Sequence, residues 1–133
     1  MNFMIMPIQN FTKIFNDLFF KLVNAVKDYF PSDSTISTAE KSLSYIRKMN
    51  PTLIYRVWVH YVDTPYKKEI QSCNIDFFVN KDYTNDLKDY THDFKTISDA
   101  IDRFREPIKN MDEENQKIIM GYIQSLSKLV DMK

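Results

Sequence analysis

Two histidines and one cysteine are the side chains of this sequence best suited to acid, base or nucleophilic chemistry. His60 follows Arg56 by four residues and precedes Asp63 by three, so a helix would place all three on one side. A carboxylate beside an imidazole fixes its tautomer and tunes its charge, and such a pair can act as a general acid or base. The same spacing also suits a polar seam between helices, which the sequence favours. An enzyme that uses His60 and Asp63 is therefore the weaker hypothesis.

The sequence lacks the residues that other kinds of reactive or ligand-binding site require. Cys73 is the only cysteine, which excludes a disulfide framework and a cysteine zinc site within this sequence. With a single glycine, the chain cannot form a glycine-rich phosphate loop. An EF-hand loop starting at Asp82 would need glycine at its sixth position and glutamate at its twelfth, where the chain has Leu87 and Asp93. An irregular carboxylate site stays open as a minor alternative, but we predict no catalytic residue, cofactor or metal.

Aromatic and acidic side chains alternate in the segment that follows Cys73. Aromatic anchors within a polar surround are typical of a protein-binding surface. We therefore predict a set of partner-binding residues, namely Phe77, Phe78, Asp82, Tyr83, Asp86 and Tyr90. Residues 76–102 contain seven aspartates and three lysines, a local charge of −4, which favours a basic partner surface over phosphate. The alternative is that these rings pack the segment onto the helices.

The overall charge does not favour nucleic acid as a ligand. The chain has 18 basic and 18 acidic residues and a formal net charge of zero, so a broad electrostatic surface for phosphate is not predicted. A nucleic-acid-associated accessory protein remains the alternative function. It would use tyrosines of the 66–92 region for base stacking, together with the lysines Lys67, Lys68, Lys81 and Lys88.

The elements that must position these residues are predicted to be helices. One glycine in 133 residues is too few for the tight turns of most sheets. Proline, serine, aspartate and asparagine instead separate segments whose apolar residues recur every three or four positions. We predict an all-α fold, a compact bundle of five or six helices with a long irregular loop near residues 73–92. Residues 1–133 form one domain, with residues 1–9 as a mobile N-terminal segment.

Local signals set the expected ends of several helices. Ser37-Thr38-Ala39-Glu40 matches a capping box at the start of the second helix. Asn50 and Pro51 suit the N-cap and first position of the third helix. Residues 53–62 are rich in β-branched and aromatic residues, which is typical of a strand. Their narrow polar stripe favours a buried helix, and the strand stays open as the alternative.

The sequence indicates three further helical segments after residue 65. Residues 66–72 could form two helical turns, and Pro107 should kink or end the helix over residues 94–108. Asp112 is a plausible N-cap for the last helix, which contains Gly121. Glycine there allows either close approach of another helix or simple exposure on a solvated face.

The first helix, over residues 10–29, has a wide apolar stripe. Its polar face mixes lysine with aspartate, whereas a membrane-surface helix carries many cations there. A core helix is therefore the prediction, and membrane-surface contact by residues 11–29 is the weaker alternative. No uncharged run approaches the roughly 20 residues of a membrane span, and no signal peptide is recognisable. With one free cysteine, these features predict a soluble intracellular protein.

Several short motifs occur in a characteristic order: Tyr29-Phe30-Pro31-Ser32-Asp33, Asn50-Pro51, Pro65-Tyr66-Lys67, Asp76-Phe77-Phe78-Val79-Asn80-Lys81-Asp82-Tyr83 and Tyr122-Ile123-Gln124-Ser125-Leu126. In this order they resemble a family of small helical proteins, of unknown function, from giant nucleocytoplasmic large DNA viruses. The likeness spans residues 28–130. It implies a viral protein of the host cytoplasm or the virion, with no catalytic residues to carry over. The predicted function is non-enzymatic protein–protein interaction or a scaffold role, with a second copy or another protein as partner.

Overall fold

The computed structural model describes residues 8–80 and 92–132. Every regular element in these two ranges is helical, which confirms the predicted all-α class. A π-helical segment, Val59–Asp63, continues the third α-helix without a break. The α-helices are α1 (Ile8–Tyr29), α2 (Ser34–Met49), α3 (Leu53–Trp58), α4 (Lys67–Gln71), α5 (Asp76–Val79), α6 (His92–Arg103), α7 (Arg105–Lys109) and α8 (Glu113–Asp131).

The core is built on helices that are distant in sequence. α1 packs along α8, α2 packs along α6, and α3 contacts α1, α2 and α6. The ring of Phe19 meets the indole of Trp58 edge to face, with 5.6 Å between centroids. Phe15 is fully buried and stacks on Phe19 at 6.2 Å. The apolar stripe of α1 thus lies in the core, as predicted.

The start of α2 differs from the predicted capping box. Asp33 is the N-cap, and its Oδ1 accepts hydrogen bonds from the N–H groups of Thr35 at 2.8 Å and Ile36 at 3.3 Å. Ser37 lies inside the helix, where its N–H donates to the carbonyl of Asp33 at 3.1 Å. The capping-box prediction is wrong because Asp33 offers the same acceptor chemistry four residues earlier.

The connection from α2 to α3 also differs. Asn50 closes α2, since its N–H donates to the carbonyl of Ile46 at 2.7 Å. Pro51 and Thr52 form a turn, and α3 begins at Leu53. The prediction of Asn50 as N-cap and Pro51 as the first helical residue is therefore wrong. The helix prediction for residues 53–62 is confirmed, and the strand alternative is excluded.

Part of the predicted irregular loop is helical. α5 lies inside the range 73–92, and α6 begins at the last residue of that range. Residues 81–91 lie outside the described part of the chain. Cys73 has φ = 61°, the one positive φ of a non-glycine residue in the ranges described. For a residue that has a side chain, this left-handed backbone conformation costs about 1–2 kcal/mol relative to the right-handed one. The change of conformation at Cys73 ends α4.

Two expectations for the C-terminal half are met. α6 stops at Arg103 and α7 resumes at Arg105, four and two residues before Pro107, which cannot donate a backbone hydrogen bond. Asp112 caps α8 by accepting from the N–H of Asn115 at 2.8 Å. A Cβ on Gly121 would meet no atom within 4 Å, which favours simple exposure over close helix approach. None of the described helices has the length and apolarity needed to cross a membrane.

Candidate functional site

The candidate acid–base pair does not form. Asp63 is 2% exposed, and its Oδ2 accepts a hydrogen bond from Lys67 Nζ at 2.7 Å. His60 is exposed on the π-helical segment, and its ring meets Phe94 edge to face at 5.8 Å. Asp63 therefore belongs to a polar seam between helices, which is the arrangement that the sequence favours over an acid–base pair.

Lys67 organises that seam. Its Nζ also donates to Ser127 Oγ at 2.9 Å and to Asp131 Oδ1 at 2.8 Å, so it joins α4 to the end of α8. Burial of the ammonium group lowers the pKa of Lys67, but the hydrogen bonds to Asp131 and Asp63 outweigh that effect and leave the pKa raised. The ammonium is held as a structural cation and is poorly placed to contact a phosphate.

The predicted partner-binding aromatics separate into two environments. Phe77 is partly buried and stacks on Tyr66, with ring centroids 5.3 Å apart. Phe78 is 2% exposed and belongs to the core. Phe78 therefore packs this segment onto the helices, which is the alternative that the sequence left open. It cannot act as an exposed anchor. The remaining predicted contacts lie outside the described residues, namely Asp82, Tyr83, Asp86 and Tyr90.

A buried arginine holds Phe78 in place. The guanidinium of Arg105 lies 4.2 Å from the ring centroid of Phe78 and donates to the carbonyl oxygen of the same residue. Arg105 Nε also donates to Asp102 Oδ1 at 2.9 Å. The Tyr61 hydroxyl donates to the same carboxylate at 2.8 Å. Burial raises the pKa of Asp102, and the hydrogen bond from Arg105 partly offsets it.

A large open groove lies between α1 and α2, with a volume of about 870 Å³. We name it the α1–α2 groove. Its volume lies in the range of known ligand sites. Hydroxyl, amide, apolar and charged side chains share the lining, which comprises Thr12, Lys13, Asn16, Phe20, Asn24, Glu40, Ser44, Arg47, Lys48, Pro51 and Thr52.

A buried amide lies at the bottom of the groove. Asn16 is 2% exposed, and its Nδ2 donates to the carbonyl of Pro51 at 3.0 Å. The carbonyl can only accept, which fixes the orientation of the amide. Asn16 Oδ1 is buried without a hydrogen-bond partner in the described ranges. An unsatisfied buried acceptor costs about 1–3 kcal/mol, so such an atom calls for an explanation.

Ion pairs rigidify the two walls of the groove. Asp17 binds both Arg47 across the groove and Lys13 on α1, the latter at 2.7 Å. These two hydrogen bonds lower the pKa of Asp17. The Arg47 guanidinium also lies over the ring of Phe20, 5.3 Å from its centroid. The opposite wall therefore presents a cation whose position is already fixed.

Glu40 is the single carboxylate among the lining residues. It accepts from Ser44 Oγ at 2.8 Å and from Lys27 Nζ at 3.4 Å. Three cations accompany it in the lining, namely Lys13, Arg47 and Lys48. Asp17 pairs with two of these cations, Lys13 and Arg47, and Lys27 pairs with Glu40. The groove and its ion-pair partners therefore keep a net positive charge, and Lys48 is the lining cation that has no ion pair in the described ranges.

Sequence reasoning missed this groove. Asn16 is a polar residue on α1, yet it is buried and donates a hydrogen bond to the turn after α2. The available signal was the spacing of four between Thr12, Asn16, Phe20 and Asn24, which puts them on one ridge of α1. Nothing local shows that this ridge faces α2.

A second exposed feature lies on α2 beside the groove. Tyr45 is 65% exposed and Met49 is 68% exposed, and they are one helical turn apart. The buried residues of α2 end at Ile46, so Met49 lies outside the core. We name Tyr45 and Met49 the α2 patch.

No metal centre accompanies these features: in the ranges 8–80 and 92–132, no three acidic, histidine or cysteine side chains converge as metal ligands. Comparison with known proteins adds no further assignment, since the chain matches no family model, no curated protein and no solved structure.

Proposed function

We propose that this protein is a non-enzymatic interaction protein that binds a protein partner through the α2 patch. The observation that carries the proposal is the exposure of two large side chains, Tyr45 at 65% and Met49 at 68%, on one face of α2. Tyrosine and methionine are enriched in protein interfaces, where a ring or a flexible thioether can enter a partner's pocket. Lys41 and Lys48 are exposed on the same helix and would form a cationic rim.

The positions of the reactive side chains lend the enzyme hypothesis no support. Asp63 is engaged by Lys67, and neither His60 nor Asp63 lines the α1–α2 groove. Cys73 Sγ accepts a hydrogen bond from Gln124 Nε2 at 2.8 Å and has no histidine partner in the described ranges.

One of the four lysines that the nucleic-acid alternative requires is already engaged within the protein. Lys67 is held by two carboxylates and a hydroxyl, whereas Lys68 is exposed. Lys81 and Lys88 lie outside the described residues. A membrane-surface role for α1 is not supported either, because its apolar stripe is buried against the other helices.

The predicted aromatic surface would extend the interaction. Phe77 stays part of this proposal, because its stacked pair with Tyr66 is only partly buried. The resemblance to proteins of large DNA viruses would place the partner in an infected cell or a virion.

Affinity purification tests the proposal. The tagged protein is recovered from the cells that make it, beside the double variant Tyr45→Ala/Met49→Ala. We expect a stoichiometric partner that the double variant loses, because interface anchors of this type dominate binding. Ile118→Ala on α8 is the matched control, since Ile118 is also exposed, at 53%. Identical partner lists for the wild type and the folded double variant would contradict the proposal.

A further inference from the structure

We infer that the α1–α2 groove binds an extended acidic segment of the partner protein. This inference rests on the proposed function and specifies the chemistry of the partner. It is carried by three properties of the groove: its charge balance, its unsatisfied acceptor, and its continuity with the α2 patch.

The charge balance selects an anionic ligand. Lys13, Arg47 and Lys48 line the groove, and Asp17 already pairs with the first two. Lys48 therefore supplies the lining charge that no carboxylate of the described ranges neutralises. Arg47 is fixed by Asp17 and by the ring of Phe20, so it loses little conformational freedom on binding. Lys48 is an exposed lining residue, and in the sequence of α2 it lies between Tyr45 and Met49 of the α2 patch.

The acceptors in the groove favour a peptide over a nucleic acid. Asn16 Oδ1 is buried and unsatisfied, and Glu40 presents a carboxylate. Asn16 Oδ1 needs a hydrogen-bond donor, which the N–H groups of a peptide supply and a phosphodiester backbone does not. A small shift of the surrounding side chains must accompany contact with Asn16 Oδ1, because that atom is closed to water.

The position of the groove suits a segment of a larger partner. Lys48 lines the groove and directly precedes Met49 of the α2 patch, while Ser44 of the groove directly precedes Tyr45. A partner seated on the α2 patch can therefore extend a strand-like segment over one edge of α2. The apolar lining residues Phe20 and Pro51 would contact the backbone or an apolar side chain of that segment.

Fluorescence anisotropy tests the inference on the full chain. The probe is a short labelled peptide of alternating glutamate and leucine, and matched peptides carry lysine or glutamine in place of glutamate. We expect only the acidic peptide to bind, with an affinity that falls as salt is added. Lys48→Glu should weaken binding about tenfold, since it replaces an attraction by a repulsion.

Lys21→Glu is the matched control, because Lys21 is exposed on α1 and does not line the groove. Equal binding of the three peptides, or equal loss in both variants, would overturn the inference. So would binding of a single-stranded RNA oligomer that depends on Lys48 while the acidic peptide fails to bind.

The two proposals fail in different ways. If the partner is captured through Tyr45 and Met49 but the acidic peptide does not bind, the groove inference is wrong and the proposed function stands. If the acidic peptide binds with the expected dependence on Lys48 but no partner is captured, the proposed function is wrong.

Discussion

Arg105 shows at the scale of a single residue how this chain tolerates charge in its core. The residue is 3% exposed, yet its guanidinium contacts the Asp102 carboxylate, the Phe78 carbonyl and the faces of two rings. A buried cation is acceptable only where such partners replace water. The partners lie on α5, α6 and the π-helical segment, so the side chain fixes these three elements against its own helix, α7.

Arg105→Met should lower the free energy of unfolding by about 3 kcal/mol, because it leaves the partly buried Asp102 carboxylate without its cation. Urea unfolding measures the change. Arg103→Met is the matched control, since Arg103 is exposed and should change stability by less than about 0.5 kcal/mol. Adding Asp102→Leu to Arg105→Met should recover part of the loss. Equal stability of the two single variants would show that the network contributes nothing.

At the scale of elements, Lys67 connects parts of the chain that are distant in sequence. It lies on the short helix α4 and binds Asp63 at the end of the π-helical segment and Asp131 at the end of α8. A helix of five residues has almost no stability of its own. Its position therefore depends on this cation and on the buried Ile70.

Lys67→Met should cost about 3 kcal/mol near neutral pH, because Asp63 is buried and would lose its only cation in the described ranges. The pKa of Lys67 is raised above its ordinary value of 10.5, so the stabilisation is present below that pH. It is lost as the pH rises through the folded-state pKa. Urea unfolding of wild type and variant at increasing pH should give converging stabilities. Lys68→Met, at an exposed neighbour, should show no such trend, and a constant difference for Lys67→Met would contradict the argument.

Local sequence patterns predict the helices better than their ends. The three- and four-residue spacing of apolar side chains correctly predicted α1, α6 and α8, because burial enforces that period. The start of α2 was missed because Asp33 and Ser37 both satisfy local capping rules, and only the backbone geometry distinguishes them. The candidate sites were missed for a different reason. Lys67 and Asp131 are 64 residues apart, and the α1–α2 groove depends on how two helices pack.

At the scale of the whole molecule, the pairing of α1 with α8 and of α2 with α6 makes the described helices one packed unit. Contacts between distant parts of a chain form together or not at all in small domains, so unfolding should be a single transition. α8 contributes several buried side chains to this core, namely Ile119, Met120, Ile123, Leu126 and Leu129. Their burial is worth on the order of 10 kcal/mol, which is comparable with the whole stability of a typical domain.

A chain that ends at Asp112 should therefore lose its fixed tertiary packing and keep only part of its helical content. Without α8, the face of α1 that packs along it would be exposed to water. Near-ultraviolet circular dichroism should then show no ordered signal from Trp58, and a hydrophobic dye should bind. A chain that ends at Asp131 keeps all of α8 and should behave as the wild type. A cooperative urea transition in the shorter chain would mean that α1 finds its core without α8, and that the molecule contains a smaller folding unit.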